Sequence, residues 1–206
     1  GSLLYQAYGV QGYSYASTEY KGNAIFLHLK TIVPQRCVCP HCGSLHVIKY
    51  GIVRRILHNL PFGSKPCNLS LQIQRFCCKE CGGVWQSDIP FTHGEVSYTY
   101  RFSRYVLDLL RMGNTIKDVA QHLRVGWNMV KEIHKKYLKS RYSHPDIKHV
   151  RRIGIDEIAI RKGHVYKNIV VDLETGRIIH VGDGKGKAAL EGCWKRVRQN
   201  KETNEI

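Results

Sequence analysis

Cys39 and Cys42 are separated by two residues, and so are Cys78 and Cys81. Thiolates at i and i+3 can converge on one tetrahedral ion. A second such pair completes a closed four-sulfur site with no position left for water. The chemistry this predicts is structural: a zinc ion that holds a fold and does not react. Both runs, Cys39-Pro40-His41-Cys42-Gly43 and Cys78-Lys79-Glu80-Cys81-Gly82-Gly83, follow the second sulfur with glycine. Glycine relieves crowding where backbone amides turn toward a thiolate. Cys37 and Cys77 leave alternative ligands open, and the equal spacing of the two pairs favours Cys39, Cys42, Cys78 and Cys81. Cys67 and Cys193 read as buried thiols, and His41 and His46 as loop residues.

A second chemical feature is a carboxylate in an apolar strand, Ile153-Gly154-Ile155-Asp156-Glu157-Ile158. Metal-assisted cleavage of a phosphodiester works between two ions ~3.5–4 Å apart and needs several converging carboxylates. Asp156 is the candidate for the first of these. Glu157 points to the other face of the strand. Asp172, in Asp172-Leu173-Glu174-Thr175-Gly176, reads as a turn residue that caps its own turn, and Asp183 as a loop residue.

Between these features lies a concentration of positive charge. The chain carries a net charge of +16, and residues 93–152 contribute 13 basic against 5 acidic residues. Charge of this sign and density suits a polyanion, because each neutralised phosphate releases counterions. The same segment has helical periodicity. Phe102, Val106, Leu109 and Leu110 define one helix, stopped at Met112-Gly113-Asn114. Thr115 starts a second, with Asp118 three residues on and Ile116, Val119, Ala120 and Leu123 as its apolar face. After the turn Arg124-Val125-Gly126, a third helix carries Trp127, Val130, Ile133, His134 and Tyr137 on one side, with Trp127 expected as a core anchor rather than a base-stacking residue. Two short helices across a glycine-containing turn form a helix-turn-helix pattern. Its polar reading face would present Asn128, Lys131, Lys135 and Glu132, with Lys136, Lys139 and Arg141 as phosphate contacts or plain surface and Arg124 as a further candidate DNA contact. Arg54 and Arg55, on an earlier strand, are further candidate DNA contacts.

These groups need elements to position them. Cys67 to Gln74 alternates apolar and polar residues and predicts a half-buried strand running into the second cysteine pair. Val47–Tyr50 and Ile52–Leu57 are its expected partners, broken at Gly51. Ile25–Lys30 predicts one strand in an N-terminal segment, 1–33, rich in tyrosine. His149–Ile160, Val165–Val171 and Ile178–Val181 predict three meandering strands, and Ala188–Val197 a helix. The organisation expected is α+β and multi-domain. The N-terminal segment is followed by a small zinc-ribbon-like domain (34–92), a helix-turn-helix domain (93–147) and an incomplete ribonuclease-H-like α/β domain (148–206). No segment reaches the ~18–20 apolar residues of a membrane span, and no signal peptide is visible. Eight cysteines without such a signal point to a reducing compartment.

Cys39-Pro40-x-Cys42-Gly43-Ser44, Arg75-Phe76-x-Cys78, the helix-turn-helix, Ile153-Gly154-Ile155-Asp156-Glu157, Arg161-Lys162-Gly163-His164 and Val171-Asp172-Leu173-Glu174-Thr175-Gly176-Arg177 together resemble the ISL-three family of bacterial insertion-sequence transposases. The resemblance implies a structural zinc, recognition of terminal inverted repeats in double-stranded DNA, and a catalytic domain with an Asp-Asp-Glu triad using Mg or Mn. Asp156 would be the first triad member. It also implies action as a homodimer, in the bacterial cytoplasm at the nucleoid. The other two triad residues follow later elements in the family, so the chain as it stands is expected not to cleave DNA alone. The alternative expectation is a non-catalytic, sequence-specific DNA-binding protein, a repressor or a domesticated remnant. A third, an RNA-binding zinc-ribbon protein, fits the recognition-helix pattern less well.

Overall fold

The computed structural model describes residues 3–32, 37–143 and 145–204, with side chains up to residue 199. It is a mixed α+β structure in two compact units, Gly1–Lys136 and Tyr137–Ile206.

The first unit begins with helix α1 (Leu3–Tyr8) and strands β1 (Tyr13–Lys21) and β2 (Ala24–Thr31). Long strands β3 (Val47–Phe62) and β4 (Lys65–Cys78) follow, then the short β5 (Val84–Gln86). The sheet order is β1-β2-β4-β3, with β5 pairing to β4. The alternation read in β4 is realised except at Asn68, which is buried: Cys67, Leu69, Leu71 and Ile73 are all at most 1% exposed, while Ser70, Gln72 and Gln74 are half-buried. Full burial of a Leu or Ile side chain is worth about 1.5–3 kcal/mol, which holds β4 at the centre of the sheet. β2 pairs with β4 in parallel, Leu29 beside Leu71. The N-terminal segment therefore shares one core with the β3–β4 hairpin, and Tyr8, Val10, Tyr13, Ile25 and Leu29 pack with Leu57, Leu69 and Phe91.

That segment contains two strands where one was expected. Gly22 and Asn23 both have positive φ, 54° and 60°, the conformation of a tight two-residue hairpin turn. β3 is also continuous where a break was expected. Gly51, at φ 87°, absorbs a register shift between Lys49 and Ile52, and the strand runs on to Phe62.

Helices α2 (Tyr100–Arg111), α3 (Ile116–Leu123) and the first part of α4 (Trp127–Tyr142) complete the unit. They enclose a separate core of Phe102, Val106, Val119, Ala120, Leu123, Val130 and Ile133. β3 ties this helical part to the sheet. The His58 N–H donates to the Ser97 carbonyl at 2.8 Å, and the Thr99 N–H donates to the His58 carbonyl at 3.0 Å. The Thr99 hydroxyl donates to Asn59 Oδ1 at 2.9 Å and accepts from the Phe102 N–H, capping α2.

The second unit holds the antiparallel strands β6 (Ile153–Arg161), β7 (Val165–Asp172) and β8 (Ile178–Asp183), a 3-10 turn (Lys187–Leu190) and α5 (Glu191–Asn204). β7 lies between β6 and β8. Ile147, Val170, Ile179 and Cys193 form the core. Gly182 lies so close to the Ala189 carbonyl, 1.9 Å from where a Cβ would be, that only glycine fits.

Candidate metal centre and nucleic-acid interface

The paired end of β3 and β4 carries the four-sulfur cluster. Val47, at the start of β3, faces Cys78, at the end of β4. The two loops that flank it are built alike. The Cys39 N–H donates to the Ser44 carbonyl and Gly43 N–H to the Cys39 carbonyl, both at 2.9 Å. The Cys78 N–H donates to the Gly83 carbonyl at 2.9 Å and Gly82 N–H to the Cys78 carbonyl at 3.0 Å. Gly43 (φ 75°) and Gly82 (φ 68°) supply the left-handed turns. Two contacts bind one loop to the other: Lys79 N–H to the His46 carbonyl at 2.8 Å, and His46 Nδ1 to Glu80 Oε1 at 2.6 Å.

The sulfurs of Cys39, Cys42, Cys78 and Cys81 all lie within 4.8 Å of one another. Cys39–Cys81 and Cys42–Cys78 are each 3.6 Å apart. A zinc tetrahedron with Zn–S bonds of ~2.3 Å has edges of ~3.8 Å, so the donor set fits a structural zinc. Hydrogen bonds already favour one thiolate. The Cys81 backbone N–H, aided by that of Glu80 and by the Cys42 and Cys81 thiols, holds Cys78 at about 6. The Ser44 N–H pulls Cys42 down, but burial and hydrogen bonds with Cys81, Cys78 and Cys39 carry it up to about 12. Of the two alternative ligands, Cys77 turns its sulfur to the Cys78 carbonyl at 3.6 Å, and neither it nor Cys37 joins the cluster.

The helices place the sequence-predicted DNA contacts as follows. α3 opens on a reciprocal cap. The Thr115 hydroxyl accepts from the Asp118 N–H, and the Asp118 carboxylate accepts from the Thr115 N–H and hydroxyl. These bonds, the hydroxyl first, hold Asp118 below the usual carboxylate range. α3 ends at Arg124 in the left-handed conformation, φ 54°. α4 turns Val130 and Ile133 inward. Asn128, Lys131, Lys135 and Lys136 are exposed, as are Arg124 and Arg54. Glu132 lies 3.9 Å from the Lys135 ammonium.

Two residues have partners that the sequence did not show. Arg55 is half-buried, and its guanidinium donates to the Gly94 carbonyl at 3.0 Å and the Val96 carbonyl at 2.9 Å. These bonds fasten the segment leading to α2 onto β3. Trp127 is not a core anchor: it is 53% exposed, with the Lys131 ammonium 5.1 Å from its ring centroid. Helical spacing from Val130 suggested an inward position.

Asp156 is exposed on β6, opposite Ile169 of β7. Its Oδ1 accepts from the Glu157 N–H at 2.8 Å. Glu157 lies on the other face and accepts from the Gly186 N–H. Asp172 is 6% exposed and accepts from the Thr175 hydroxyl and the Glu174 N–H, which hold it below the usual range. It closes its turn, as expected. Asp183 pairs with Lys167. Among the described residues, the four cysteines are the one metal-capable group. Asp156 belongs to no such group among the described residues.

Comparison with known proteins agrees with this layout. Residues 35–81 match the zinc-finger of transposase IS204/IS1001/IS1096/IS1165, and residues 153–206 match the ISL3-type DDE transposase family. The transposase for insertion sequence element IS1001 of Bordetella parapertussis is 27% identical over 193 residues, 92% of this chain and 47% of that protein. The transposase for insertion sequence element IS1557 of Mycobacterium tuberculosis is 27% identical over 154 residues, 74% of this chain and 34% of that protein. The chain thus spans less than half the length of these curated relatives. No solved structure matches.

Proposed function

Starting from a chain similar to ISL3-family insertion-sequence transposases at both its zinc finger and its β6–α5 segment, we propose that it is the end-recognising portion of such a transposase. In this reading α3 and α4 are a helix-turn-helix that grips the terminal inverted repeats of the element in double-stranded DNA. Asn128 and Lys131 meet base edges, and Lys135, Lys136, Arg124 and Arg54 meet phosphates. The β6-β7-β8 meander and α5 are the opening of a ribonuclease-H-like domain. Asp156 is then the first of three carboxylates for Mg or Mn, and the other two are not among the described residues near it. Pairing two element ends calls for a homodimer. The work would be done at the nucleoid, in the bacterial cytoplasm. No helix among the described residues is long and apolar enough to cross a membrane.

The observation that carries this reading is the outward face of α4. It shows Asn128, Lys131, Lys135 and Lys136 on a helix braced from behind by its own core. The test is a mobility-shift titration of the chain on a terminal-repeat duplex against unrelated duplexes at several salt concentrations. Four cations at phosphates give a log–log salt slope of roughly −3.6. Binding indifferent to sequence would remove the recognition role. The chain alone is expected to bind but not to nick that duplex with Mg or Mn. Sequence-specific binding by the complete natural protein, with no cleavage, would favour the non-catalytic reading.

A further inference from the structure

We infer that Trp127 reads the C5-methyl group of a thymine, and so sets part of the sequence preference of α4; this rests on the helix-turn-helix reading above. A tryptophan 53% exposed on a helix whose inward residues are fully buried is an unusual expense. An indole offers one N–H donor and a broad apolar plate, so it gains little from a phosphate. In the major groove the apolar group on a base edge is the thymine methyl. The position fits. Trp127 is the first residue of α4, and the N-terminal residues of a recognition helix are those that reach base edges. Its neighbours on the exposed side are Asn128 and Lys131, both polar groups able to meet bases. The Lys131 ammonium, 5.1 Å from the ring centroid, holds the indole by a cation–π contact. The two side chains are thus presented together: an apolar plate for a methyl beside a cation for an adjacent acceptor.

Thymine-to-uracil substitution removes that methyl and nothing else. A duplex is first selected by the wild-type chain from a randomised library. Each of its thymines is then replaced singly by uracil, and affinity is measured for the wild type, Trp127→Ala and Trp127→Gln. One substitution should weaken wild-type binding about 3- to 5-fold, the worth of one buried methyl-sized group. The same substitution should change neither variant's affinity. Both variants should keep the wild-type salt slope, since no phosphate contact is lost. Zinc content and melting temperature should also hold, since the side chain is exposed. A selected duplex indifferent to uracil at every position, or equally sensitive in wild type and variants, overturns the assignment of Trp127 while leaving α4 as reader. Failure to enrich any sequence overturns both.

Discussion

At the scale of single residues, the four sulfurs were legible because pair spacing is a local property that survives folding. The ambiguity was which of two adjacent cysteines turns inward. Cys78 is the last residue of β4, and the amides of Cys81 and Glu80 in the following loop point back at its sulfur, while Cys77 turns its sulfur to the Cys78 carbonyl. Cys39→Ser should therefore reduce bound zinc well below one ion per chain by elemental analysis, and Cys77→Ser should leave it unchanged. Equal losses would undo the register. Trp127 was misread, and the carbonyl bonds of Arg55 were missed, for a shared reason. Sequence gives the side of an element on which a residue stands, but not what approaches that side. Two carbonyls from the 94–96 segment reach Arg55 across 39 to 41 positions of sequence, whereas Trp127 stays 53% exposed and meets the Lys131 ammonium of its own helix. The Gly22-Asn23 turn, in contrast, was available as a hairpin signal. It was obscured because β1 buries almost none of its side chains and so has no apolar alternation to announce a strand.

At the scale of elements, the helices were the most legible part, since their apolar periodicity and caps are both local. α3 is the most exposed to loss. With eight residues, it is far below the ~12–15 at which an isolated helix is even marginal. It stands because its apolar face is buried and its first turn is closed by Thr115 and Asp118. Thr115→Ala removes both the acceptor for the Asp118 N–H and the donor to the Asp118 carboxylate. A cap of this kind is worth about 1 kcal/mol, or ~2–4 °C in melting temperature for a chain of this size. Thr115→Ser should recover most of it. The sign with pH follows from the depressed acid. The carboxylate's part is present above the ordinary Asp range and is lost as pH falls through its lowered folded value. The wild type and Thr115→Ala should therefore draw closer in acid. A melting temperature unmoved by Thr115→Ala at neutral pH would show that packing alone holds α3.

At the scale of the whole molecule, what could not be read was the parallel pairing of β2 with β4, because parallel neighbours are set by contacts far apart in sequence. That pairing changes what zinc does for the fold. Read locally, residues 34–92 are a platform that the metal alone could hold. In the structure, β3 and β4 pass from the metal end into a core shared with α1, β1 and β2, and the helices keep a second core of their own. The cysteine loops themselves contribute no large apolar side chain to either. Zinc therefore stabilises one end of a sheet whose middle is held by Leu57, Leu69, Leu71 and Ile73, all fully buried. Chelation should accordingly release amide protection over about 38–47 and 77–86. The amides of 67–73 and of α2 to α4 should stay protected, as expected of local opening in a region with few buried contacts. Hydrogen exchange followed with and without a chelator measures this residue range by residue range. Simultaneous loss of protection in the metal end, the β2–β4 core and the helices would show that the ion holds the whole first unit, and that the two hydrophobic cores cannot stand without it.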